Sequence, residues 1–182
     1  HNIGAFYMGR DDCQMAVPHF LEAIRMKENY AYPYHGLGVC ASRQSPPTGA
    51  HYFFGRALEL DPRMTRTLIE RGVFHMKQGN LDSAMNDFEQ ARRIKPDHDA
   101  AHANLGLIYL SQGKLTEAET YLNEARKLNP DSAEVLNNLG LLCAKQGRTE
   151  EAAAWFRQAL ERMPGHPEIE RNLRVLSKAS ES

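Results

Sequence analysis

The chain has 182 residues, 42% hydrophobic and 25% charged, which is the composition of an ordinary folded protein. Its formal net charge of −1 argues against nucleic-acid binding and against a polybasic membrane-surface role, because both require an excess of Lys and Arg. No apolar run approaches the roughly 20 residues of a membrane-spanning helix, and no signal-peptide pattern follows His1. We therefore expect a soluble protein without membrane insertion, in the cytoplasm rather than the periplasm, although a chain that opens this abruptly does not fix its compartment.

The dominant feature of the sequence is an internal repeat with a period of 34 residues. Glycine recurs once in each period, at Gly4, Gly38, Gly72, Gly106 and Gly140. Alanine recurs twice, at Ala16, Ala50, Ala84, Ala118 and Ala152 and again at Ala23, Ala57, Ala91, Ala125 and Ala159. A bulky apolar residue recurs at Phe20, Phe54, Phe88, Leu122 and Phe156, and proline closes four periods, at Pro62, Pro96, Pro130 and Pro164. Fixed spacing without insertions indicates stacked copies of one structural unit.

Each period is predicted to form two helices joined by a tight turn. In the fourth period, the spacing of apolar residues predicts a first helix over 99–112 and a second helix over 116–128. Gly113 between them is expected to adopt the left-handed conformation that commonly ends a helix. Thr116 and Glu119 are expected to form a capping box at the second helix.

Small residues are predicted to lie where the two helices of one repeat cross. Gly106 and Ala118 are the clearest case, because a larger side chain at a crossing would push the helix axes apart. The second repeat departs from the pattern, since "QSPPTG" at 44–49 replaces the usual glycine turn. We leave the geometry of that turn open.

The period also defines the domain organisation. We expect one all-α domain over 1–182, made of a partial repeat, four complete repeats and a capping helix, with boundaries 1–30, 31–64, 65–98, 99–132, 133–166 and 167–178. Ile169, Leu173 and Leu176 fall on one helical face, which is predicted to cover the last repeat. We therefore expect the C-terminus to be native.

Three cysteines, Cys13, Cys40 and Cys143, are odd in number and widely spaced. Neither a disulfide framework nor a zinc site is expected from that spacing. Each cysteine is expected to fill a packing position between helices as a small apolar residue.

The repeat resembles the tetratricopeptide repeat (TPR) family. In the fifth repeat the motif consists of Leu136, "LG" at 139–140, Ala152, Phe156, Ala159 and Pro164. The resemblance implies an α-solenoid of antiparallel helix pairs coiled into a right-handed superhelix. It also implies that the first helices line a concave inner wall, through the second, fifth, sixth, ninth, twelfth and thirteenth residues of each repeat.

No constellation for catalysis, cofactor binding or metal binding emerges from the sequence. His98 and His102 have a spacing that suits a metal on one helix face, but His102 occupies the core position that Leu136 fills in the next repeat. His75 likewise occupies the position of Tyr109 and is expected to pack rather than to act as a base. There is no glycine-rich phosphate loop. We predict that the chain is not an enzyme and uses no cofactor or metal.

The inner wall is the predicted site, a groove for a peptide or helix of another protein. Two of its rows are mostly apolar, and a third contains asparagines, whose side chains can both donate to and accept from a peptide backbone. The predicted groove residues are Val39, Val73, Met76, Asn104, Leu107, Leu110, Asn138, Leu141 and Asn172. The alternative is that the apolar rows are buried between adjacent helices and that the asparagines bond to neighbouring helices or to water.

The predicted function is therefore a scaffold or adaptor that binds another protein and no nucleic acid. The asparagine row resembles the one inside protein O-linked N-acetylglucosamine transferases. The chaperone-adaptor mode, in which Lys, Asn and Arg grip a C-terminal carboxylate, does not fit, because Glu134 would repel that group. The alternative function is a substrate-presenting segment of a larger enzyme, or of an envelope, pilus or secretion assembly factor. Self-association through the N-terminal end is a third alternative.

Overall fold

The computed structural model describes residues 2–180, and every regular element in that range is an α-helix. The helices are α1 (Asn2–Gly9), α2 (Cys13–Met26), α3 (Ala31–Ser42), α4 (Ala50–Leu60), α5 (Thr65–Lys77), α6 (Leu81–Ile94), α7 (Asp99–Ser111), α8 (Leu115–Leu128), α9 (Ala133–Lys145), α10 (Thr149–Arg162) and α11 (Pro167–Ser180). The all-α prediction is confirmed, and α7 and α8 lie within one residue of their predicted boundaries. None of the helices described is long and apolar enough to cross a membrane.

The helices form two compact units, His1–Ile94 and Lys95–Ser182, called unit 1 and unit 2 below. In unit 1, α1 packs on α2, α3 on α4 and α5 on α6, and α2 and α4 each pack on the first helix of the next repeat. In unit 2, α7 packs on α8 and α9 on α10, while α8 contacts α9 and α10 contacts α11. The prediction of a single domain over 1–182 stays a prediction.

The recurring glycine makes room for the recurring bulky residue of the same repeat. A Cβ atom on Gly140 would lie 2.5 Å from Phe156 Cε1, and one on Gly106 would lie 2.7 Å from Leu122 Cγ. Because Cβ atoms do not approach other carbons so closely, any larger residue would force the two helices apart. The prediction of a small residue at this crossing is confirmed for Gly106, and Ala118 is fully buried.

The turn glycines adopt the predicted left-handed conformation. Gly113 between α7 and α8 has φ = 74°, a value that side chains with a Cβ atom disfavour. In the unusual second repeat, Gly49 takes over this role at φ = 82° and is the N-cap residue of α4. The Ser45–Pro46 peptide bond of that turn is cis.

The capping box predicted at Thr116 and Glu119 is wrong. Helix α8 begins at Leu115, so Thr116 already lies inside its first turn and cannot be the N-cap residue. Side-chain caps occur instead before α2, where Asp12 accepts a backbone N–H bond of 3.0 Å, and before α9, where Ser132 accepts one of 3.3 Å.

The expectation that no disulfide forms is also wrong. Cys13 at the start of α2 and Cys40 near the end of α3 are bonded, with their Cα atoms 5.4 Å apart, a normal separation for a disulfide. The 27-residue separation does not by itself indicate this proximity, because the two helices meet through repeat stacking. Cys143 is a free, buried thiol, as expected.

Helix α11 packs an apolar face against the last repeat. Ile169 is 3% exposed and belongs to the core cluster that includes residues of α9 and α10, with Leu173 and Leu176 packed beside it. The Arg171 and Arg174 side chains on the other face are exposed. This arrangement places apolar residues inward and charges outward, as the spacing predicted.

Unit 1 contains two buried polar pairs between helices. Arg71 on α5 donates two hydrogen bonds to the Asp87 carboxylate on α6, of 2.8 Å and 2.6 Å. His35 on α3 is fully buried, and its Nδ1 atom lies 3.0 Å from Thr67 Oγ1 on α5. Both pairs replace apolar contacts in the core, so each makes stability depend on polar geometry.

Candidate functional site

Three predicted groove residues lie in unit 1. Val73 and Met76 on α5 are partly exposed, whereas Val39 on α3 is only 4% exposed and belongs to the core. Val39 nevertheless lines a surface cavity of about 200 Å³. Its side chain is therefore part of the core and also part of an accessible surface. We call the surface formed by Val39, Val73, Met76 and the lining of this cavity the unit 1 wall.

The cavity in the unit 1 wall is lined by apolar, aromatic and charged residues, and its exposed lining surface is more polar than apolar. Its lining residues come from α1, α3 and α5 and from the positions flanking them: Ala5, Met8, Gly9, Tyr32, Val39, Arg43, Arg66 and Glu70. Each of these residues occupies the second, sixth, ninth, twelfth or thirteenth position of its repeat. Those are positions at which the family resemblance expects the inner wall, and Val39 is the one lining residue that also belongs to the nine predicted groove residues.

The charges on the cavity border differ in how they are paired. Arg43 forms an ion pair with Asp11, so its charge is largely neutralised within unit 1. Arg66 and Glu70, both on α5, form no ion pair with any residue between 2 and 180. The border of the cavity therefore carries one cation and one anion that form no ion pair in that range.

Unit 2 carries the other six predicted groove residues, which we call the unit 2 wall. Leu107 on α7 and Leu141 on α9 are partly exposed and pack against the core cluster from its surface. Leu110, three residues after Leu107, is 2% exposed and is a core residue. Leu107 and Leu141 are therefore accessible at the surface, whereas Leu110 belongs to the core.

The three asparagines of the unit 2 wall differ in their hydrogen bonds. Asn104 donates to the carbonyl oxygen of Ala100 on its own helix, at 2.8 Å. Asn172 donates to Asn137 Oδ1 at 2.9 Å. Asn138 is 9% exposed, and its side chain bonds to no residue within the described range. The interhelical bonding offered as an alternative thus describes Asn172 and not Asn138.

Packing explains why the second repeat has no asparagine in this row. Gly36 stands at the equivalent position of the second repeat, where a Cβ atom would lie 2.3 Å from the Phe20 ring. No side chain fits there, so the row is interrupted by the core. The sequence could have shown this only if the orientation of Phe20 had been known.

The histidines that suggested metal binding do not share a common site, and each has its own neighbour. His102 is 8% exposed, and its Nε2 atom donates to the Pro96 carbonyl oxygen at 2.8 Å. His98 Nδ1 lies 3.8 Å from the Asp99 carboxylate, and burial lowers the pKa of His98 despite that neighbour. Burial also lowers the pKa of His75, which is 8% exposed. Over residues 2–180, no group of three or more His, Cys, Asp or Glu side chains could hold a metal ion.

The fold defines a class of protein: an all-α protein built from repeated helix pairs. The family model described as "Tetratricopeptide repeat" matches residues 69–131 and 103–167, which together span more than half of the chain. The chain belongs to the tetratricopeptide repeat family.

Solved structures agree with this assignment. The chain is similar to pilF of Pseudomonas aeruginosa, with a TM-score of 0.82 and 21% identity, covering 99% of this chain and 82% of that one. It is also similar to a thermophilic TPR protein of Thermus thermophilus, with a TM-score of 0.79 and 21% identity, covering 97% and 96%. At these identities the likeness shows the fold alone.

One curated relative is similar in sequence. The chain is 27% identical over 90 residues to a UDP-N-acetylglucosamine–peptide N-acetylglucosaminyltransferase of Giardia intestinalis. The match covers 50% of this chain and 6% of that protein. The chain thus spans a small part of that relative.

Proposed function

We propose that the chain is a non-catalytic scaffold that binds an extended peptide of another protein along the first helices of its repeats. The observation that carries the proposal is the cavity in the unit 1 wall. Its volume of about 200 Å³ admits a single side chain rather than a helix. Its lining surface is more polar than apolar, and Arg66 and Glu70 beside it form no ion pair among residues 2–180. A peptide strand supplies backbone and side-chain polar groups that can bond to such a lining.

The unit 2 wall supports the same function by a different chemistry. The partly exposed leucines Leu107 and Leu141 offer an apolar surface on adjacent first helices. Asn138 offers one donor group and one acceptor group without a partner in the described structure. An asparagine can bind the backbone amides of a peptide, so unit 2 is suited to hold a chain with little dependence on its side chains.

The test compares two variants that carry the same number of new charges. The wall variant is Val73→Glu, Leu107→Glu and Leu141→Glu. The control variant is Met26→Glu, Tyr52→Glu and Met163→Glu, at exposed apolar residues off the walls. Both are first shown to be folded by circular dichroism, then used with the wild-type chain for affinity capture from source cells, quantified by mass spectrometry.

We expect a partner to be captured by the wild-type chain and by the control variant but lost from the wall variant. Glutamate at the wall positions would replace apolar contact with a charge that must be desolvated on binding. Equal capture of that partner by all three chains would rule out the walls as its binding site.

A second candidate function is a substrate-presenting segment of a larger enzyme. The similarity to a small part of a glycosyltransferase favours it, as does the asparagine row of unit 2. The likeness to pilF concerns the fold alone, so an envelope or pilus assembly role has less support. An immunoblot of source cells with an antibody against this chain separates the candidates. A band far above 20.6 kDa would support the larger enzyme, and a band at 20.6 kDa would exclude it.

A further inference from the structure

The Cys13–Cys40 disulfide lies at a boundary between repeats, and the equivalent boundary in unit 2 has no disulfide. It joins α2 to α3, across the boundary between the first and second repeats. The positions equivalent to Cys13 and Cys40 in the fourth and fifth repeats are Leu115 and Leu142, which pack in one cluster of unit 2. An apolar contact therefore holds the same helix pair in unit 2 without a covalent bond. The first repeat boundary is thus joined by a covalent bond where the corresponding helices of unit 2 are joined by apolar contact.

The bond is also accessible from outside. A surface cavity of about 520 Å³ opens beside it, lined by both cysteines together with residues such as Gln14, Val17 and Arg43. The two cysteines differ in exposure, since Cys40 is 1% exposed and Cys13 is partly exposed. Cys13 is therefore the more exposed of the two cysteines that line the cavity.

We propose that Cys13–Cys40 is an exchangeable disulfide and that Cys13 is its site of attack by a dithiol, such as that of a thiol–disulfide oxidoreductase. A thiolate of the dithiol attacks Cys13 Sγ, the Cys13–Cys40 bond breaks, and Cys40 leaves as a thiolate that takes up a proton. The second thiol of the dithiol then attacks the mixed disulfide and releases Cys13 as a thiol. Two electrons pass to the protein, and the dithiol is oxidised to a disulfide.

The same bond bears on the compartment. Disulfides form and persist in oxidising surroundings and are rare where thiols are kept reduced. The pairing therefore favours an oxidising compartment over the cytoplasm that the sequence suggested. Reduction would break the covalent link between α2 and α3. The apolar contacts between the two helices would remain, so we expect the reduced chain to stay folded.

The first measurement establishes the bond. The chain is expressed with export to a bacterial periplasm, purified without reductant, denatured and treated with iodoacetamide before intact-mass analysis. We expect a single alkylation, on Cys143, because Cys13 and Cys40 are already bonded. Pretreatment with dithiothreitol should raise the number of alkylations to three. Three alkylations without pretreatment would overturn the proposal.

The second measurement tests the site of attack with two matched variants, Cys40→Ser and Cys13→Ser. Each folded variant is incubated with oxidised glutathione, and the mixed disulfide is quantified by mass spectrometry. We expect Cys13 in the first variant to react at least about tenfold faster than Cys40 in the second, because reaction rate follows access to the sulfur. Equal rates, or no reaction at either cysteine, would overturn the assignment. Circular dichroism of both variants excludes unfolding as the cause of a difference.

Discussion

Arg71 and Asp87 occupy positions that are apolar one repeat earlier. Of the equivalent residues there, Leu37 belongs to the core of unit 1 and Phe53 packs against it. The Asp87 side chain is 2% exposed and bonded to Arg71. We expect Asp87→Ala to lower the free energy of unfolding by about 3–5 kcal/mol, because the Arg71 guanidinium then lacks its partner in a largely buried site. Urea unfolding followed by circular dichroism measures the difference.

The matched control is the double variant Arg71→Leu, Asp87→Phe, which reproduces the Leu37–Phe53 pair. Buried ion pairs can often be replaced by apolar residues at little loss of stability, so we expect this variant to unfold within about 1 kcal/mol of the wild type or above it. A double variant as unstable as Asp87→Ala would show that this site cannot accept apolar packing.

His35 makes the stability of unit 1 depend on pH. Its ring is fully buried against Thr67, and burial, aided by the charge of Arg66, lowers the pKa of His35 to about 4. The unfolded chain, with a histidine pKa of about 6.5, binds the proton first as pH falls. The stability is therefore complete above pH about 6.5, and up to about 3 kcal/mol of it is lost as pH falls toward 4.

The variant His35→Gln checks this pH dependence. It removes one titrating group, so the free energy of unfolding should change less between pH 6.5 and pH 4 than in the wild type. His75 and His98, whose pKa values burial also lowers, remain in both chains and give the same background. Identical pH profiles for the two chains would show that His35 is not the source.

At the scale of helices, we expect the substitution of glycine by alanine to have opposite effects at two positions. A Cβ atom on Gly140 in α9 would lie 2.5 Å from Phe156, whereas one on Gly55 in α4 meets nothing within 4 Å. We expect Gly140→Ala to destabilise the protein by about 1–3 kcal/mol through overpacking. Gly55→Ala should stabilise it by about 0.5–1 kcal/mol, because alanine favours the helix. Thermal unfolding midpoints measure both, and shifts of the same sign would contradict this account.

The helices themselves could be predicted because their signals are local. Apolar spacing and the turn glycines gave α7 and α8 to within one residue. The exposure of individual wall residues could not be predicted in the same way. Leu107 and Leu110 are three residues apart on α7, yet the first is partly exposed and the second is 2% exposed. Exposure depends on where the neighbouring helices pack, and a repeat period does not supply that information.

At the scale of the whole molecule, the 34-residue period predicted which repeat positions lie on facing sides of neighbouring helices. It did not predict chemistry that depends on two particular residues meeting. Cys13 and Cys40 stand at positions where Leu115 and Leu142 pack together in unit 2. Aligning the repeats at those positions would have placed the two cysteines side by side. The same alignment places Arg66 and Glu70 at wall positions, so the charged border of the unit 1 cavity was also within reach of the sequence.

A stack of repeats must present a polar surface at its end, and α11 supplies one for unit 2. Ile169 on its inner face is 3% exposed and packs in a cluster with Phe156 and Ala159, whereas Val175 is 62% exposed. We expect Ile169→Asp to lower the free energy of unfolding by at least about 3 kcal/mol, because it loses apolar burial and places a carboxylate against the core.

Val175→Asp is the matched control on the same helix. It adds the same carboxylate at an exposed position, so its unfolding free energy should stay within about 0.5 kcal/mol of the wild type. Detachment of α11 would also expose the cluster around Phe156, so light scattering should detect aggregation of Ile169→Asp but not of Val175→Asp. If Ile169→Asp is as stable and as monodisperse as the control, α11 does not hold the last repeat closed, and the polar end of unit 2 must be supplied by α9 and α10 themselves.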